Sequence, residues 1–274
     1  MYDAIRQFLP TINSLTKFPS IPTYHDLQKD GTLGPDHVQF PLEQQVHVTE
    51  KINGVNARII QFPGGPWIIG SREDLLTARG DLIRPVAHSI PEQLIPVAQR
   101  IAMHFGSTIR VYYFEVHGRD TVKAGAHYGA GWRLIDVCHI NDAHSRMTWS
   151  PQEAAEQRHA IQEWMPWDDV ILHAGAMQLP LVPALATMLG RDLPQSVTLT
   201  HIWLNQIAAN TTLMPHLGGA IGSPAGPAEG VVLRLADGSL RAKVRHNNYQ
   251  RTKQVAEARA AAEAKTKTHM EAVQ

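Results

Sequence analysis

Short stretches of alternating or continuous apolar residues recur along the chain and predict β-strands. The first three lie at residues 46–49, 55–62 and 67–70, separated by Asn53-Gly54 and by a Pro-Gly-Gly-Pro turn. Because such turns join neighbouring antiparallel strands, we expect these three strands to form one antiparallel sheet. Two further strands are predicted at 108–116, which is rich in aromatic and β-branched residues, and at 131–137.

Apolar residues at helical spacing predict a helix over 91–105, with a proline in its first turn and Gly106 at its end. Ser150 and Glu153 match a capping box and predict a second helix that runs from 151 towards Trp164. A weaker helical pattern predicts a further helix over residues 196–210. The Ala-rich sequence after Tyr249 predicts one exposed or loosely docked helix that extends to Val273.

The remaining segments carry little regular pattern. Five prolines fall within residues 1–45, so we expect an irregular lead-in with at most a short helix near residues 2–8. Residues 179–183 resemble a short edge segment. The predicted organisation is an irregular lead-in (1–45), one α+β domain of antiparallel sheets flanked by helices (46–250) and a helical tail (251–274).

The clearest hairpin pairs residues 229–235 with 239–245 across an Asp237-Gly238 turn. Arg241, Lys243 and Arg245 alternate along its second strand, so all three side chains should share one face of the sheet. Such a row of cations suits an anion-binding site. It is equally typical of a solvated edge strand that lysine and arginine protect from pairing.

Composition narrows the possible functions. Lys plus Arg and Asp plus Glu both number 25, so no global basic field would draw the chain onto nucleic acid. A single cysteine, Cys138, excludes an internal disulfide. No apolar run is long enough to cross a bilayer and the amino terminus carries no leader pattern, so we expect a cytoplasmic location and no membrane partner.

Candidate chemistry is concentrated in residues 48–58, where polar residues interrupt the strand pattern. Lys51 lies among Val46, Val48 and Ile52, a setting that disfavours the charged ammonium and so suits a nucleophilic amine. Gly54 permits close approach of the chain or of a ligand. The alternative is a plain hairpin with Asn53-Gly54 as its turn.

Other polar residues occur at strand ends. Ser71-Arg72-Glu73 follows the third strand and could be only a solvated turn. Glu115 lies inside an apolar strand, where an unpaired carboxylate is costly, so we expect it to have a cationic or hydrogen-bonding partner.

These segments, taken in order, resemble the covalent nucleotidyltransferase superfamily of polynucleotide ligases and capping enzymes. The resemblance spans about residues 45–250 and rests on Lys-Ile-Asn-Gly at 51–54, Ser-Arg at 71–72, Phe-Glu-Val-His-Gly at 114–118, Glu-Gly-Val-Val at 229–232 and Lys-Val-Arg at 243–245. Residues 49–51 with Gly54 and Asn56 are most similar to the ATP-dependent RNA ligase branch typified by the second RNA ligase of phage T4.

The resemblance implies a role for each matched residue. Lys51 would attack the α-phosphorus of ATP and hold AMP, with Lys243 and Arg245 gripping the α-phosphate. Glu50, Asn53 and Gly54 would lie on the adenine side, Arg72 near the ribose and the substrate phosphate, and Glu115 on the ribose hydroxyls. Glu229 and Asn56 would bind a hydrated Mg²⁺ or Mn²⁺.

The chain departs from the family pattern in several places. Asn53 stands where aspartate or histidine is common, and Arg245 stands where lysine is usual. Ile135 occupies the position of an aromatic residue that stacks on adenine, so either an aliphatic face covers the base or Trp132 does. The sequence ends soon after the last motif, which predicts a minimal core without an added carboxy-terminal domain.

The resulting functional hypothesis is an RNA repair enzyme, an ATP-dependent RNA ligase that joins 3′-hydroxyl and 5′-phosphate ends through a lysyl-AMP intermediate. Its expected partners are RNA ends, including nicked duplexes and RNA/DNA hybrids. The alternatives are a DNA ligase, a capping guanylyltransferase or a non-catalytic nucleic-acid-binding relative.

Overall fold

Antiparallel strands dominate the computed structural model, which describes residues 5–79, 81–84, 89–104, 106–118, 121–213 and 226–273. Within these ranges the strands are β1 (His25–Leu27), β2 (Leu33–His37), β3 (Gln45–Lys51), β4 (Val55–Gln61), β5 (Trp67–Ser71), β6 (Leu75–Ala78), β7 (Asp81–Leu82), β8 (Ile109–His117), β9 (Gly131–Ile140), β10 (Gln162–Trp164), β11 (Ala184–Leu189), β12 (Gly230–Leu235) and β13 (Arg241–Arg245).

Helices pack on these strands or connect them. The α-helices are α1 (Leu9–Leu15), α2 (Ile90–Ile101), α3 (Ala143–Arg146), α4 (Pro151–Ile161), α5 (Trp167–Ala176), α6 (Val197–Ile207) and α7 (His246–Val273), and single 3₁₀ turns occur at Lys123–Gly125 and Gly190–Asp192. No helix in the described ranges is long and apolar enough to cross a membrane.

The strands form two large sheets and one small one. Seven strands pair in the order β10-β9-β8-β4-β5-β6-β7, four in the order β11-β3-β12-β13, and β1 pairs with β2. All these pairings are antiparallel. The α+β architecture predicted from the sequence is therefore confirmed.

Consecutive strands β3 and β4 belong to different sheets. β3 pairs with β11 and β12, whereas β4 pairs with β5 and β8. The expectation of one sheet built from 46–49, 55–62 and 67–70 is thus wrong for its first strand, and so is the alternative of an Asn53-Gly54 hairpin. Residues 52–54 instead carry the chain from one sheet to the other.

Gly54 is required at this crossover because the chain approaches itself closely. A β-carbon at this position would lie 2.4 Å from the carbonyl oxygen of Val116 on β8, well inside van der Waals contact. Close approach of the chain was one of the two uses predicted for this glycine, and it is confirmed.

Both faces of the seven-stranded sheet are covered. Helices α2 and α5 pack on one face, where Leu94 and Val170 join Ile59 in a buried cluster. Helices α1 and α4 pack on the other, where Ile12 and Ala154 cover the opposite side of β4. The four-stranded sheet has its own core, which α6 and α7 complete.

Most predicted elements are confirmed. The helix predicted over 91–105 is α2, with Phe105 outside the described residues, and the helix after Tyr249 is α7. The capping box is present, since Ser150 and Glu153 each bond the other's backbone. β12 and β13 form the predicted hairpin. Helix α5 and strand β11 were not predicted.

The lead-in at 1–45 is more regular than predicted. It contains α1 and the β1–β2 pair, and the predicted helix near 2–8 falls partly on residues 1–4, which lie outside the described ranges. Pro10 is tolerated because it lies in the first turn of α1, where its missing N–H has no helical partner. Ile12 and Leu15 then anchor the helix in the core.

Candidate active site

A cavity of about 400 Å³ lies where the two large sheets meet. It is lined by every predicted site residue except Trp132: Glu50, Lys51, Asn53, Gly54, Asn56, Arg72, Glu115, Ile135, Glu229, Lys243 and Arg245. The sheets bring these residues together because β3 ends at Lys51 beside Gly230 of β12, and Asn56 of β4 lies opposite Glu115 of β8.

The Lys51 amine forms an ion pair at the wall of this cavity. Its Nζ lies 2.7 Å from Oε2 of Glu229, and Oε1 of the same carboxylate lies 3.3 Å from Nε of Arg245. The Lys51 and Glu229 side chains are only 20 % and 16 % exposed. Glu229 therefore links the candidate nucleophile to a cation of β13.

The backbone of the crossover segment 52–54 binds the Glu115 carboxylate. Its Oε1 accepts a hydrogen bond from the Gly54 amide at 3.0 Å, so the predicted hydrogen-bonding partner is present. Burial raises the pKa of Glu115 to about 7, although the nearby Lys51 charge acts in the opposite direction. The carboxyl thus titrates near neutral pH.

The three cations of β13 line the cavity. Burial lowers the pKa of Lys243, and the charges of Arg245 and Lys51 lower it further. The outer edge of β13 is also partly covered, because the amide of Lys243 donates to Pro22 and its carbonyl accepts from Tyr24. This placement contradicts the alternative of a row that only protects a free edge.

The third β13 cation, Arg241, belongs to a buried ion cluster that the sequence did not predict. Asp136 Oδ2 lies 2.7 Å from Arg241 and 3.1 Å from Arg234, and all three residues line the cavity. The two guanidinium groups lie over the rings of Trp164 and Trp167. The only signal in the sequence was an acidic residue near the end of a strand.

Glu50 is fully engaged by the segment that follows α6. Its carboxylate accepts hydrogen bonds from the Thr211 hydroxyl and from the amide and hydroxyl of Thr212, the latter two at 2.9 and 2.7 Å. The Glu50 side chain therefore fixes residues 211–213 beside β3. Neither threonine was singled out from the sequence.

Arg72 and Asn53 are held by neighbouring residues at the cavity. Arg72 is half exposed and donates to the Ser20 hydroxyl at 2.9 Å, so Ser71-Arg72-Glu73 is more than a solvated turn. The Asn53 amide lies 3.3 Å from the Tyr128 hydroxyl, to which it donates.

A β-bulge brings a second residue of β9, Ile135, to the cavity beside Asp136. Tyr113 pairs with Asp136 and Phe114 with Leu134, so Ile135 is the extra residue, and it lines the cavity. Trp132 packs edge-on against Phe114 in the core on the other face of the sheet. The expectation that Trp132 could cover a base in this cavity is therefore wrong.

Asn56 and Glu229 suit a hydrated divalent cation. The Oδ1 atom of Asn56 is buried and has no hydrogen-bond partner, so the site holds an unused oxygen acceptor. No cluster of three or more His, Cys, Asp or Glu residues within the described ranges could hold a metal by itself. One carboxylate and one carboxamide match the few protein ligands that Mg²⁺ takes when it keeps most of its waters.

The cavity carries an excess of positive charge although the chain is neutral overall. Six basic side chains line it against four acidic ones, and one of those acids is Glu115, with its pKa of about 7. The positive charge of the cavity would therefore attract an anion of the size of a nucleotide, and no basic surface elsewhere on the chain is needed.

Three solved structures of RNA ligases are similar to this chain. The chain superimposes on Naegleria gruberi RNA ligase with PPi at a TM-score of 0.50 and 12 % identity, covering 86 % of this chain and 64 % of that one. An archaeal ATP-dependent RNA ligase matches at a TM-score of 0.49 and 15 % identity over 85 % of this chain and 49 % of that one. A mutant of the Naegleria enzyme with AMP and Mn matches at a TM-score of 0.49 and 12 % identity, covering 86 % of this chain and 57 % of that one.

The chain spans about half to two thirds of the length of these solved ligases. No curated protein sequence matches it. The family model described as RNA ligase matches residues 44–253, which is well over half of the chain and includes every predicted site residue. The chain therefore belongs to the RNA ligase family.

Proposed function

We propose that this protein is an ATP-dependent RNA ligase that joins 3′-hydroxyl and 5′-phosphate ends through a lysyl-AMP intermediate. The observation that carries the proposal is the shared cavity, in which the Lys51 amine lies beside Glu229 and faces the same space as Glu115, Lys243 and Arg245. A nucleophilic amine with fixed cations around it is what nucleotidyl transfer requires.

In the first step neutral Nζ of Lys51 attacks the α-phosphorus of ATP. A nitrogen–phosphorus bond forms as the bond from that phosphorus to the bridging oxygen breaks. Pyrophosphate leaves with the electron pair, and the nitrogen releases a proton to water. Lys243 and Arg245 would grip the α-phosphate oxygens, where negative charge is concentrated in the transition state.

The remaining polar residues suit positioning roles. Glu115 would accept from the ribose hydroxyls, and Arg72 would contact the ribose or the phosphate of the incoming strand. Glu50, through its backbone, with Asn53 and Gly54 would line the adenine side. Positioning and charge neutralisation of this kind assist the covalent step at Lys51 by holding the nucleotide in line with the amine.

Glu229 and Asn56 would hold Mg²⁺ or Mn²⁺, directly or through water. The cation would neutralise charge on the phosphates during transfer. The unpaired Oδ1 of Asn56 supports this assignment. Because Lys51 and the cation would share the Glu229 carboxylate, binding of the cation is expected to loosen the Lys51–Glu229 ion pair.

In the second step the AMP moves from Lys51 to a 5′-phosphate, which forms a pyrophosphate linkage as the nitrogen–phosphorus bond breaks. In the third step a 3′-hydroxyl attacks that 5′-phosphate, loses its proton and expels AMP. The substrates would be RNA ends, in nicked duplexes or RNA/DNA hybrids, as in RNA repair. The excess of cations in the cavity supports a phosphate-rich substrate.

Labelling with ATP tests the first step. The wild-type chain should become covalently labelled by ATP that carries its label at the α-phosphorus, and the label should be released by pyrophosphate. Lys51→Arg keeps the charge but should abolish labelling. Labelling by GTP alone would favour a capping guanylyltransferase, and RNA binding by an unlabelled wild type would favour a non-catalytic relative.

Sealing assays test the substrate class. Nicked RNA duplexes, nicked RNA/DNA hybrids, nicked DNA and single strands, each with a 5′-phosphate, should separate the candidates. Faster sealing of the nicked RNA duplex or hybrid than of nicked DNA is expected. Sealing confined to DNA would identify a DNA ligase of the same superfamily.

A further inference from the structure

The amino-terminal segment 17–21 forms part of the cavity wall, although it lies outside the range that matches the RNA ligase family. Phe18, Pro19 and Ile21 line the cavity, and the family match begins only at residue 44. Among the described residues that line it, Phe18 is the only aromatic one. Nothing in the sequence pattern of this Pro-rich segment indicated such a position.

The segment is fixed at both ends. Lys17 forms an ion pair with Glu73 at 2.7 Å, and the Ser20 hydroxyl accepts from Arg72. At its other end Pro22 accepts from the amide of Lys243, and Tyr24 donates to the carbonyl of the same lysine. These bonds hold the segment against elements of both large sheets.

The Phe18 ring is packed between protein and cavity. It contacts the rings of Tyr113 and Trp164, at centroid distances of 4.9 and 5.6 Å, and remains half buried. Of its two packing partners, Tyr113 is fully buried and Trp164 is partly buried against the same cluster. The ring is therefore held in place as a preformed wall, so a ligand need not order it on binding.

Phe18 lies on the Arg241 side of the cavity. The Arg241 guanidinium stacks on Trp164, whose ring also contacts Phe18. Arg241 lies opposite Arg234 on β12, four residues after Gly230, which lies opposite Lys51. At about 3.3 Å per residue the backbones of Gly230 and Arg234 are about 13 Å apart along β12. This spacing suits a nucleoside monophosphate with its phosphate at Lys51 and its base beside Phe18.

We infer that Phe18 is a determinant of nucleobase binding, presenting an aromatic wall to the purine of the nucleotide whose α-phosphate faces Lys51. The inference rests on the proposed function for the identity of the ligand. Purine rings have large apolar π-faces, and contact with an aromatic side chain contributes substantially to their binding. Ile135 and Val232 supply aliphatic walls to the same cavity.

The test compares AMP binding by the wild type, Phe18→Ala, Phe18→Leu and Phe8→Ala in equilibrium dialysis. Phe8 is the matched control, since it is also a half-buried phenylalanine packed on the same core but does not line the cavity. Loss of one base–aromatic contact should weaken AMP binding by about tenfold in Phe18→Ala. Phe18→Leu, which keeps most of the packing, should lose part of the affinity, and Phe8→Ala should bind as the wild type does.

Binding of inorganic tripolyphosphate checks that the variants remain folded, because it uses only the phosphate end and should be equal in all four proteins. Equal AMP affinity in the wild type and Phe18→Ala, an equal loss in Phe8→Ala, or no AMP binding by the wild type would each overturn the inference. A wild type that binds AMP through Phe18 but is never labelled by ATP would overturn the proposed function alone.

Discussion

Lys51 and Glu229 approach each other to 2.7 Å although 178 residues separate them in the sequence. The pairing of β3 with β12 brings them together, since Lys51 lies opposite Gly230. The carboxylate that holds the candidate nucleophile is also the candidate metal ligand. In the proposed mechanism this contact couples the amine to cation binding at Glu229.

Glu229→Gln should lower the initial rate of labelling by ATP about 100-fold, a loss typical of removing one electrostatic contact at a reacting centre. The concentration of Mg²⁺ for half-maximal labelling should rise, because a carboxamide binds the cation more weakly than a carboxylate. The measurement is the labelling rate across a magnesium titration.

Glu43→Gln is the matched control, because Glu43 also pairs with an arginine, Arg191, but outside the cavity. It should leave the rate and the magnesium dependence unchanged. A Glu229→Gln protein that labels like the wild type would contradict the metal assignment.

Glu115 should make stability fall as the pH rises. Its pKa is raised from 4.5 to about 7 by burial, so between these values the folded chain binds more protons than the unfolded chain. This group's contribution to the free energy of unfolding therefore decreases as pH rises through this window, by roughly 3 kcal/mol in total. Glu115→Gln should remove that decrease.

The measurement is chemical denaturation at about pH 5 and about pH 8, without nucleotide or divalent metal, with the variant compared to the wild type at each pH. Because the histidines titrate in both proteins, the difference between the two proteins reports Glu115. A difference that does not change with pH would contradict the raised pKa.

Asp136→Asn should destabilise the fold by about 3–5 kcal/mol, because it leaves two buried guanidinium groups without a counter-charge. The side chains of Arg234 and Arg241 are only 3 % and 9 % exposed. Denaturant unfolding measures the loss. Glu257→Gln, which breaks an exposed pair with Lys253, should cost less than about 0.5 kcal/mol.

Gly54→Ala should destabilise the protein by more than about 1 kcal/mol, since the new β-carbon would clash with the Val116 carbonyl oxygen and force the crossover away from β8. Thermal unfolding checks this prediction. Gly175→Ala in helix α5 is the control, because no atom lies within 4 Å of its β-carbon. The control should be neutral or stabilising by about 0.5–1 kcal/mol.

The sequence by itself determined the local elements and most of the candidate site. Alternation and turn residues located β4, β5, β8 and the β12–β13 hairpin, because side-chain period and turn chemistry are local properties. Lys51, Glu115, Glu229 and Lys243 each lie in a short segment with its own residue pattern. The order of these segments along the chain indicated the family, and that order is also readable from the sequence.

Only the tertiary structure decided which strands pair and which side chains share the cavity. β3 joins the four-stranded sheet because its partners, β11 and β12, come from distant parts of the chain, and no local pattern encodes a partner. A one-residue bulge at Ile135 lets the neighbouring residues Ile135 and Asp136 both line the cavity. Phe18 reaches the cavity through packing against Tyr113 and Trp164, contacts that form only once three distant segments have folded together.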